Sequence, residues 1–297
     1  GFLAPACASD TPGDDASPVA GTSGAPAGAS GTAGTTAGSG GTAGSNGGSA
    51  GGGGSGGSGG SGGNAHVGPW RIMPIGDSIT GTTCYPQLLS QKLKDAGHTN
   101  FSFVGTNLNN QSCSGAPNVM TEGHGGYILS CLTGDWTNNC AGKGMPSELM
   151  TWLNATPPPD VALILFGTND VWNSIATDTI TTAFTHLTTS IRDANPNAVI
   201  FIGQILPMHP EGCADSNTSC VNNRVKTLNA AIPAWATSQS TAASPIHVVD
   251  IYGSIGSSDA FTTNSALSSD GVHPNATGAG MMADAWMEAL LAQGVPE

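Results

Sequence analysis

Hydrophobic and polar positions along residues 70–292 fall into two repeating patterns. Short, mainly apolar runs occur at 71–75, 101–105, 160–167, 198–205 and 246–251. Stretches with apolar residues every three or four positions occur at 85–97, 177–193, 219–239 and 278–292. The first pattern predicts buried strands and the second predicts amphipathic helices. Strands that alternate with helices indicate a three-layer α/β fold, in which helices cover both faces of a central parallel sheet.

The N-terminal part of the chain has neither pattern. Residues 16–65 carry no charged and no aromatic side chain, and they consist almost entirely of Gly, Ala, Ser and Thr. A segment with so little to bury cannot offset the entropy lost when its backbone is ordered. We therefore expect residues 1–65 to form a disordered tether and residues 66–297 to form one folded domain, which is long enough for a sizeable core.

The charge balance limits the partners of this domain. The chain has 7 Lys and Arg against 20 Asp and Glu, with a net charge of −13. An acidic, Lys-poor surface argues against nucleic acid and against anionic membranes as partners. The sequence has no run of 18 apolar residues, so it predicts no transmembrane helix.

Cysteine usage points to an oxidising compartment. Six cysteines lie in the folded part, an even number that suggests disulfides and a secreted or cell-surface protein. Proximity favours pairing Cys131 with Cys140 and Cys213 with Cys220, which leaves Cys84 for Cys113, although six cysteines allow fifteen pairings. Free buried cysteines remain the alternative. The sequence has no CxxC or HExxH motif, so we expect neither a metal site nor a cofactor.

Cys7 stands apart from this set. It follows the apolar start GFLAPA and is a candidate for a lipid anchor at the end of a signal peptide. In the usual bacterial lipoprotein pattern Leu lies three positions before the cysteine, whereas Leu3 lies four positions before it. The alternative is that Cys7 belongs to the tether alone.

Polar residues follow three of the predicted strands. Gly76–Asp77–Ser78 comes after the first, and the run 167–170 (GTND) comes after 160–167. Asp270 and His273 come after the last predicted strand. Because ligands of such sheets bind beyond the carboxyl ends of the strands, we expect these segments to converge on one site.

The residue types suit nucleophilic catalysis. Ser78 is the candidate nucleophile, His273 the base that removes its proton, and Asp270 the carboxylate that orients the imidazole. The backbone N–H of Ser78, the amide of Asn169 and a glycine N–H are candidate donors of an oxyanion hole. Each residue alone is an ordinary turn former or helix cap, so the hypothesis depends on their conjunction.

These motifs resemble a known family. GDSIT at 76–80, GTND at 167–170 and DGVH at 270–273 look like the first, third and fifth blocks of the SGNH (GDSL-type) hydrolases. The resemblance covers nearly all of residues 70–292 and implies a flavodoxin-like SGNH hydrolase fold with a Ser–His–Asp triad. The G-x-S-x-G elbow of other hydrolases is absent, because Thr80 stands where its second glycine would be.

A closer resemblance is to carbohydrate esterase family 3, which includes acetylxylan esterases. It rests on RIMPIGDSIT at 71–80, FVGT at 103–106 and EGHGGY at 122–127. That family typically has His-Ser-Gly-Trp where this chain has 124–127, so Gly126 takes the place of its oxyanion-hole glycine. Gly105 is the alternative glycine. Gly125 and Tyr127 replace the serine and the tryptophan, changes that could alter the acyl pocket.

Four residues near these motifs are candidate substrate contacts: Asp77, His124, Tyr127 and Trp172. Each of them could instead have a structural role, and for Asp77 a structural role is the better interpretation. Asp170 is expected to hold its own turn by accepting backbone hydrogen bonds. The segment 106–145 is long for a loop of this fold, and we expect it to shape specificity at the ligand edge. Its Trp136, like Trp172, offers a flat face for a sugar ring or packs against the loop.

The sequence thus predicts a serine ester hydrolase that removes O-acetyl groups from polysaccharide. Its substrates would be acetylated plant cell-wall polysaccharides, xylan above all, or small acyl esters. A general short-chain esterase or lipase of the same fold is one alternative. A non-catalytic carbohydrate-binding protein on a cell-surface tether is another.

Overall fold

The computed structural model describes residues 66, 68–155, 157–208, 221–256, 261 and 265–296. These residues belong to one compact unit, Gly62–Glu297. The expected tether, the candidate anchor Cys7 and the cysteines Cys213 and Cys220 lie outside the described residues. The tether, the anchor and the third disulfide therefore stay predictions.

The described strands form a single, mainly parallel sheet. In chain order they are β1 (Trp70–Gly76), β2 (Phe101–Phe103), β3 (Asn107–Asn109), β4 (Val119–Gly123), β5 (Val161–Leu165), β6 (Val199–Gly203) and β7 (Ile246–Val249). The spatial order is β3-β4-β1-β5-β6-β7, with β2 also paired to β1. β3 is antiparallel to β4, whereas the other pairings are parallel.

Helices flank this sheet, as the sequence predicts for a three-layer fold. Those described are α1 (Ser78–Thr82), α2 (Tyr85–Asp95), α3 (Leu129–Thr133), α4 (Pro146–Ala155), α5 (Thr168–Trp172), α6 (Thr177–Ala194), α7 (Val221–Gln239), α8 (Ile251–Ser254) and α9 (Ala276–Leu291). α2 packs against α9, and α6 packs against α3, α4 and α7. None of the helices in the described ranges is long and apolar enough to cross a membrane.

The periodicity of the sequence explains the core. Every residue of β5 is buried, as a central parallel strand covered on both faces requires. On α6, Ile180, Phe184, Leu187 and Ile191 are buried with the spacing that predicts one helical face. The predicted bounds of these elements differ from the observed ones by two residues or fewer.

The segment 106–145 is not the long loop that its composition indicates. It contains β3, β4 and α3, and β4 enters the sheet beside β1, with Gly123 paired to Gly76. The strand escapes hydrophobic pattern recognition because it buries polar side chains. Glu122 is 0% exposed, and its carboxylate accepts hydrogen bonds from the backbone N–H and the hydroxyl of Thr106. A buried carboxylate is tolerated when it is paired in this way.

Two of the expected disulfides are present. Cys84–Cys113 joins the start of α2 to the connection between β3 and β4, and Cys131–Cys140 closes a loop that begins in α3. Cys131–Cys140 is a pair that proximity in the sequence favours, and Cys84–Cys113 is the pair that this choice leaves. They fasten the chain on either side of β4.

Candidate active site

Ser78, His273 and Asp270 lie in one hydrogen-bonded chain. Ser78 Oγ lies 2.8 Å from His273 Nε2, and His273 Nδ1 lies 2.7 Å from Asp270 Oδ2. Ser78 begins α1 directly after β1, and the other two residues lie in the loop before α9. The structure therefore brings together the three residues singled out in the sequence. Their order, with the imidazole between hydroxyl and carboxylate, is the one that proton removal from a serine requires.

The turn that presents Ser78 depends on glycine. A Cβ on Gly76 would collide with the Thr80 hydroxyl and with the backbone carbonyl of Leu165. α1 also approaches β4 closely, because a Cβ on Gly81 would collide with the carbonyl of Gly123. These contacts leave the Ser78 side chain half-buried at the strand-to-helix turn.

The Asp270 carboxylate is held by its own turn. Asp270 Oδ1 accepts hydrogen bonds from the backbone N–H groups of Val272 (2.9 Å) and His273 (2.7 Å), while Oδ2 faces the imidazole. Partial burial alone would raise the pKa of Asp270, but the hydrogen bonds from His273 and Val272 outweigh it and hold the pKa below the usual value. The carboxylate is therefore ionised at neutral pH and oriented toward His273.

Ser268 is a site residue that the sequence analysis misses. Its side chain is fully buried, and its hydroxyl accepts from the N–H of Gly271 (2.9 Å) and donates to the carbonyl of His273 (2.7 Å). It also lies 3.3 Å from Asp270 Oδ1. One hydroxyl thus ties together the turn that carries both the acid and the base. A lone serine in a polar loop gives no sequence signal for this role.

Asp77 is not available as a substrate contact. The residue is 0% exposed, and its Oδ1 accepts from the N–H of Ile79 (3.0 Å), so it caps the N-terminus of α1. Its Oδ2 and the Thr168 hydroxyl are both buried, and the Thr168 side chain acts to lower the pKa of Asp77. Burial raises the pKa of Asp77 to about 6, and the hydrogen bond from Ile79 offsets part of the rise.

This raised pKa predicts a pH-dependent stability for Asp77→Asn. The native state binds the Asp77 proton more tightly than the unfolded chain, so the stabilisation is complete below pH 3.8 and is lost as pH rises through 6. Asparagine keeps the helix cap and does not titrate. Relative to wild type, the variant should gain about 2–3 kcal/mol between pH 4 and pH 7. Urea unfolding at both pH values measures the difference; a difference independent of pH would contradict the prediction.

Three groups remain candidate donors of an oxyanion hole. The backbone N–H groups of Ser78 and Gly126 donate to no acceptor among the described residues. Gly126 has φ +79°, a conformation that favours glycine, and it belongs to the turn that follows β4. The Asn169 amide donates to the Tyr127 carbonyl (2.9 Å), which fixes its orientation. Gly105 packs against the backbone of Thr121 instead, so the geometry favours Gly126 of the two glycines.

Asp170 holds a distant segment rather than its own turn. Its buried carboxylate accepts from the N–H of Leu129 (2.9 Å) and from the N–H (2.9 Å) and hydroxyl (2.7 Å) of Ser130. These are the first two residues of α3, whose N–H groups have no partner within the helix. Asp170 therefore ties α5 to α3. Asn169 lies in α5, and Gly126 lies in the turn that leads from β4 to α3.

The remaining candidate contacts divide by exposure. The ring of His124 stacks on Trp152 with centroids 4.2 Å apart, and its Nε2 lies 2.9 Å from buried Glu122. The Tyr127 hydroxyl donates to Glu148. Trp172 remains 38% exposed. His124 and Tyr127 thus have clear structural roles, and Trp172 keeps an aromatic surface available.

The described residues contain no group of three or more His, Cys, Asp or Glu side chains that could hold a metal ion. Trp136 packs against the core with part of its side chain.

Comparisons with known proteins identify the family of the chain. Residues 75–281 match the model of the GDSL-like Lipase/Acylhydrolase family. A multidomain esterase of Ruminococcus flavefaciens is 28% identical over 236 residues, a match that covers 75% of this chain and 28% of the relative. The chain therefore spans little more than a quarter of the length of that curated relative.

Two solved structures share the fold. An acetyl esterase variant with an acetate ion is 27% identical, with a TM-score of 0.60 and coverage of 75% of this chain and 97% of its own. A carbohydrate esterase family 3 protein of Talaromyces cellulolyticus is 28% identical, with the same TM-score and the same coverage. The family model and these relatives support a domain of the carboxylic ester hydrolase class. The chain belongs to the GDSL-like lipase/acylhydrolase family.

Proposed function

We propose that this protein removes O-acetyl groups from polysaccharide through an acyl-enzyme on Ser78. The observation that carries the proposal is the hydrogen-bonded chain Ser78–His273–Asp270. A hydroxyl paired with an imidazole supplies the nucleophile, and fixed N–H groups supply the charge stabilisation that acyl transfer needs.

In the first step Ser78 Oγ attacks the acetyl carbonyl carbon while His273 Nε2 takes the hydroxyl proton. Asp270 stabilises the imidazolium that forms, and the tetrahedral oxyanion accepts hydrogen bonds from the donors of Ser78, Gly126 and Asn169. When the C–O bond to the sugar breaks, His273 returns the proton to the sugar oxygen. Water, activated by the same imidazole, then hydrolyses the acetyl-enzyme and releases acetate.

The substrate class rests on relatives and surface. A solved relative is an acetyl esterase with acetate, and another is a carbohydrate esterase of family 3. The protein is acidic and has few Lys and Arg side chains, so it would repel anionic surfaces. A neutral, hydroxyl-rich polymer is therefore a suitable substrate. Trp172, exposed in the helix that begins beside Asn169, offers a face on which a sugar ring can stack. The two disulfides favour an extracellular location.

Acetate release from a panel of acetylated polymers tests this function. We expect release from acetylated xylan to exceed release from acetylated mannan and pectin, and p-nitrophenyl acetate to be cleaved at least about tenfold faster than the octanoate, because a small acyl pocket rejects long chains. Ser78→Ala protein serves as the blank. Preference for octanoate would favour a lipase, and binding to xylan without acetate release would favour a non-catalytic protein.

A further inference from the structure

The proposed oxyanion hole depends on a short turn whose two central residues are glycines. Gly125 and Gly126 connect His124 to Tyr127, and the position of a Cβ on Gly125 lies 4.0 Å from Ser78 Cβ. The turn is closed by a hydrogen bond from the Tyr127 N–H to the His124 carbonyl (3.3 Å). Two glycines allow many backbone conformations, so the direction of the Gly126 N–H must be fixed by the flanking residues.

Tyr127 fixes the C-terminal side of this turn through its backbone. Its carbonyl accepts from the Asn169 amide (2.9 Å), and the N–H of the same peptide group, that of Ile128, donates to the Lys143 carbonyl (2.8 Å). The position of Tyr127 therefore affects two of the three proposed donors. It orients Asn169 directly and locates Gly126 through the chain.

The Tyr127 side chain is anchored in turn by Glu148. The hydroxyl donates to Glu148 Oε1 (2.8 Å), while Oε2 accepts from the backbone N–H of Met145 (2.8 Å). Glu148 is the third residue of α4. Its hydrogen bond from the Met145 N–H is the one that the third residue of a helix makes to the N-cap backbone in a capping box. A carboxylate fixed at a helix N-terminus is a stable acceptor, because the helix dipole favours negative charge there.

The aromatic rings complete the clamp. The Tyr127 ring lies 4.9 Å from that of His124 and 5.9 Å from that of Trp152. Burial, reinforced by Glu148, raises the pKa of Tyr127 to about 12, so its hydroxyl remains a donor throughout the usual pH range. The hydroxyl thus has a fixed partner that is not substrate.

We propose that Glu148 is a positioning residue for the oxyanion hole, acting through the Tyr127 hydroxyl on Gly126 and Asn169. This inference rests on the proposed function and names a residue that the triad itself does not include. In this arrangement, α4 holds the turn of Gly125 and Gly126 against α5, the helix that carries Asn169. Loss of the anchor leaves the nucleophile and its base in place but lets the donors drift from the developing charge.

Kinetics with p-nitrophenyl acetate test the proposal. Tyr127→Phe removes one oxygen and keeps the ring, so we expect kcat to fall about tenfold with KM changed by less than about twofold, since the donors act in the transition state. In Glu148→Gln the amide oxygen can accept from the Met145 N–H while the amide nitrogen donates to the Tyr127 oxygen, so both side chains stay in place and kcat should stay near the wild-type value. Glu148→Ala should show the loss seen for Tyr127→Phe.

The double variant Tyr127→Phe/Glu148→Ala separates positioning from general destabilisation. If Glu148 acts through the hydroxyl, the double variant loses no more kcat than Tyr127→Phe alone. Losses that multiply, or a Tyr127→Phe enzyme with unchanged kcat, would overturn the proposal. Failure of the proposed function is seen separately, because Ser78→Ala would then retain its turnover. Thermal unfolding of each variant checks that the proteins compared are folded.

Discussion

Ser78→Ala should lower kcat for p-nitrophenyl acetate by about 10⁴-fold or more, because it removes the hydroxyl that is proposed to form the acyl-enzyme. Ser78 Oγ lies 2.8 Å from His273 Nε2, a distance at which the imidazole can take its proton. Alanine leaves the donors and the binding surface intact. KM should therefore change far less than kcat.

The matched control is Ser190→Ala, at a half-buried position of α6. Its hydroxyl donates to the carbonyl of the preceding turn, at His186, and makes no contact with the site. The control should retain full activity. Stopped-flow release of p-nitrophenol adds a second measurement, since wild type should give a burst that Ser78→Ala lacks. Unchanged turnover in Ser78→Ala would refute the acyl-enzyme mechanism.

Asp170→Ala should have the largest effect on stability, lowering the free energy of unfolding by about 3–5 kcal/mol. Its buried carboxylate accepts three hydrogen bonds from Leu129 and Ser130, and its removal would leave these donors buried without partners. The variant should also lose kcat. The reason is that α3 directly follows the turn that contains Gly126, so a displacement of α3 would also move the Gly126 N–H.

Asp170→Asn provides the comparison for this prediction. Its amide oxygen can accept from one or two of the three donors, but its NH₂ group faces donors, so we expect roughly half the loss in urea unfolding. Equal stability of wild type and Asp170→Ala would show that α3 does not need this acceptor. Circular dichroism verifies that each variant retains its secondary structure.

The strands and helices of the central core follow from simple periodicity. β5 and α6 are predictable because each buries an apolar face with an unambiguous repeat. The triad is predictable for another reason. Ser78 lies where the chain leaves β1, and Asp270 and His273 lie three residues apart in the loop before α9, so residue type and position along the chain single out all three.

β4 could not be predicted in this way. Its stability comes from buried polar contacts, in which Glu122 binds Thr106 and His124, so its hydrophobic pattern is weak. The hydrogen-bond partners of Asp170 and Glu148 could not be predicted from the sequence for a related reason. They lie 40 and 21 residues away in the chain, and no local pattern records which distant donor a carboxylate meets.

The distance between nucleophile and base also has a consequence for biosynthesis. Ser78 and His273 are 195 residues apart, and α9, which follows His273, packs against α2, which follows Ser78. A ribosome that adds about 5–20 residues per second makes the serine many seconds before its imidazole. A nascent chain has no competent triad during that interval. Under the proposed mechanism, we therefore expect esterase activity only after α9 has been synthesised and has docked.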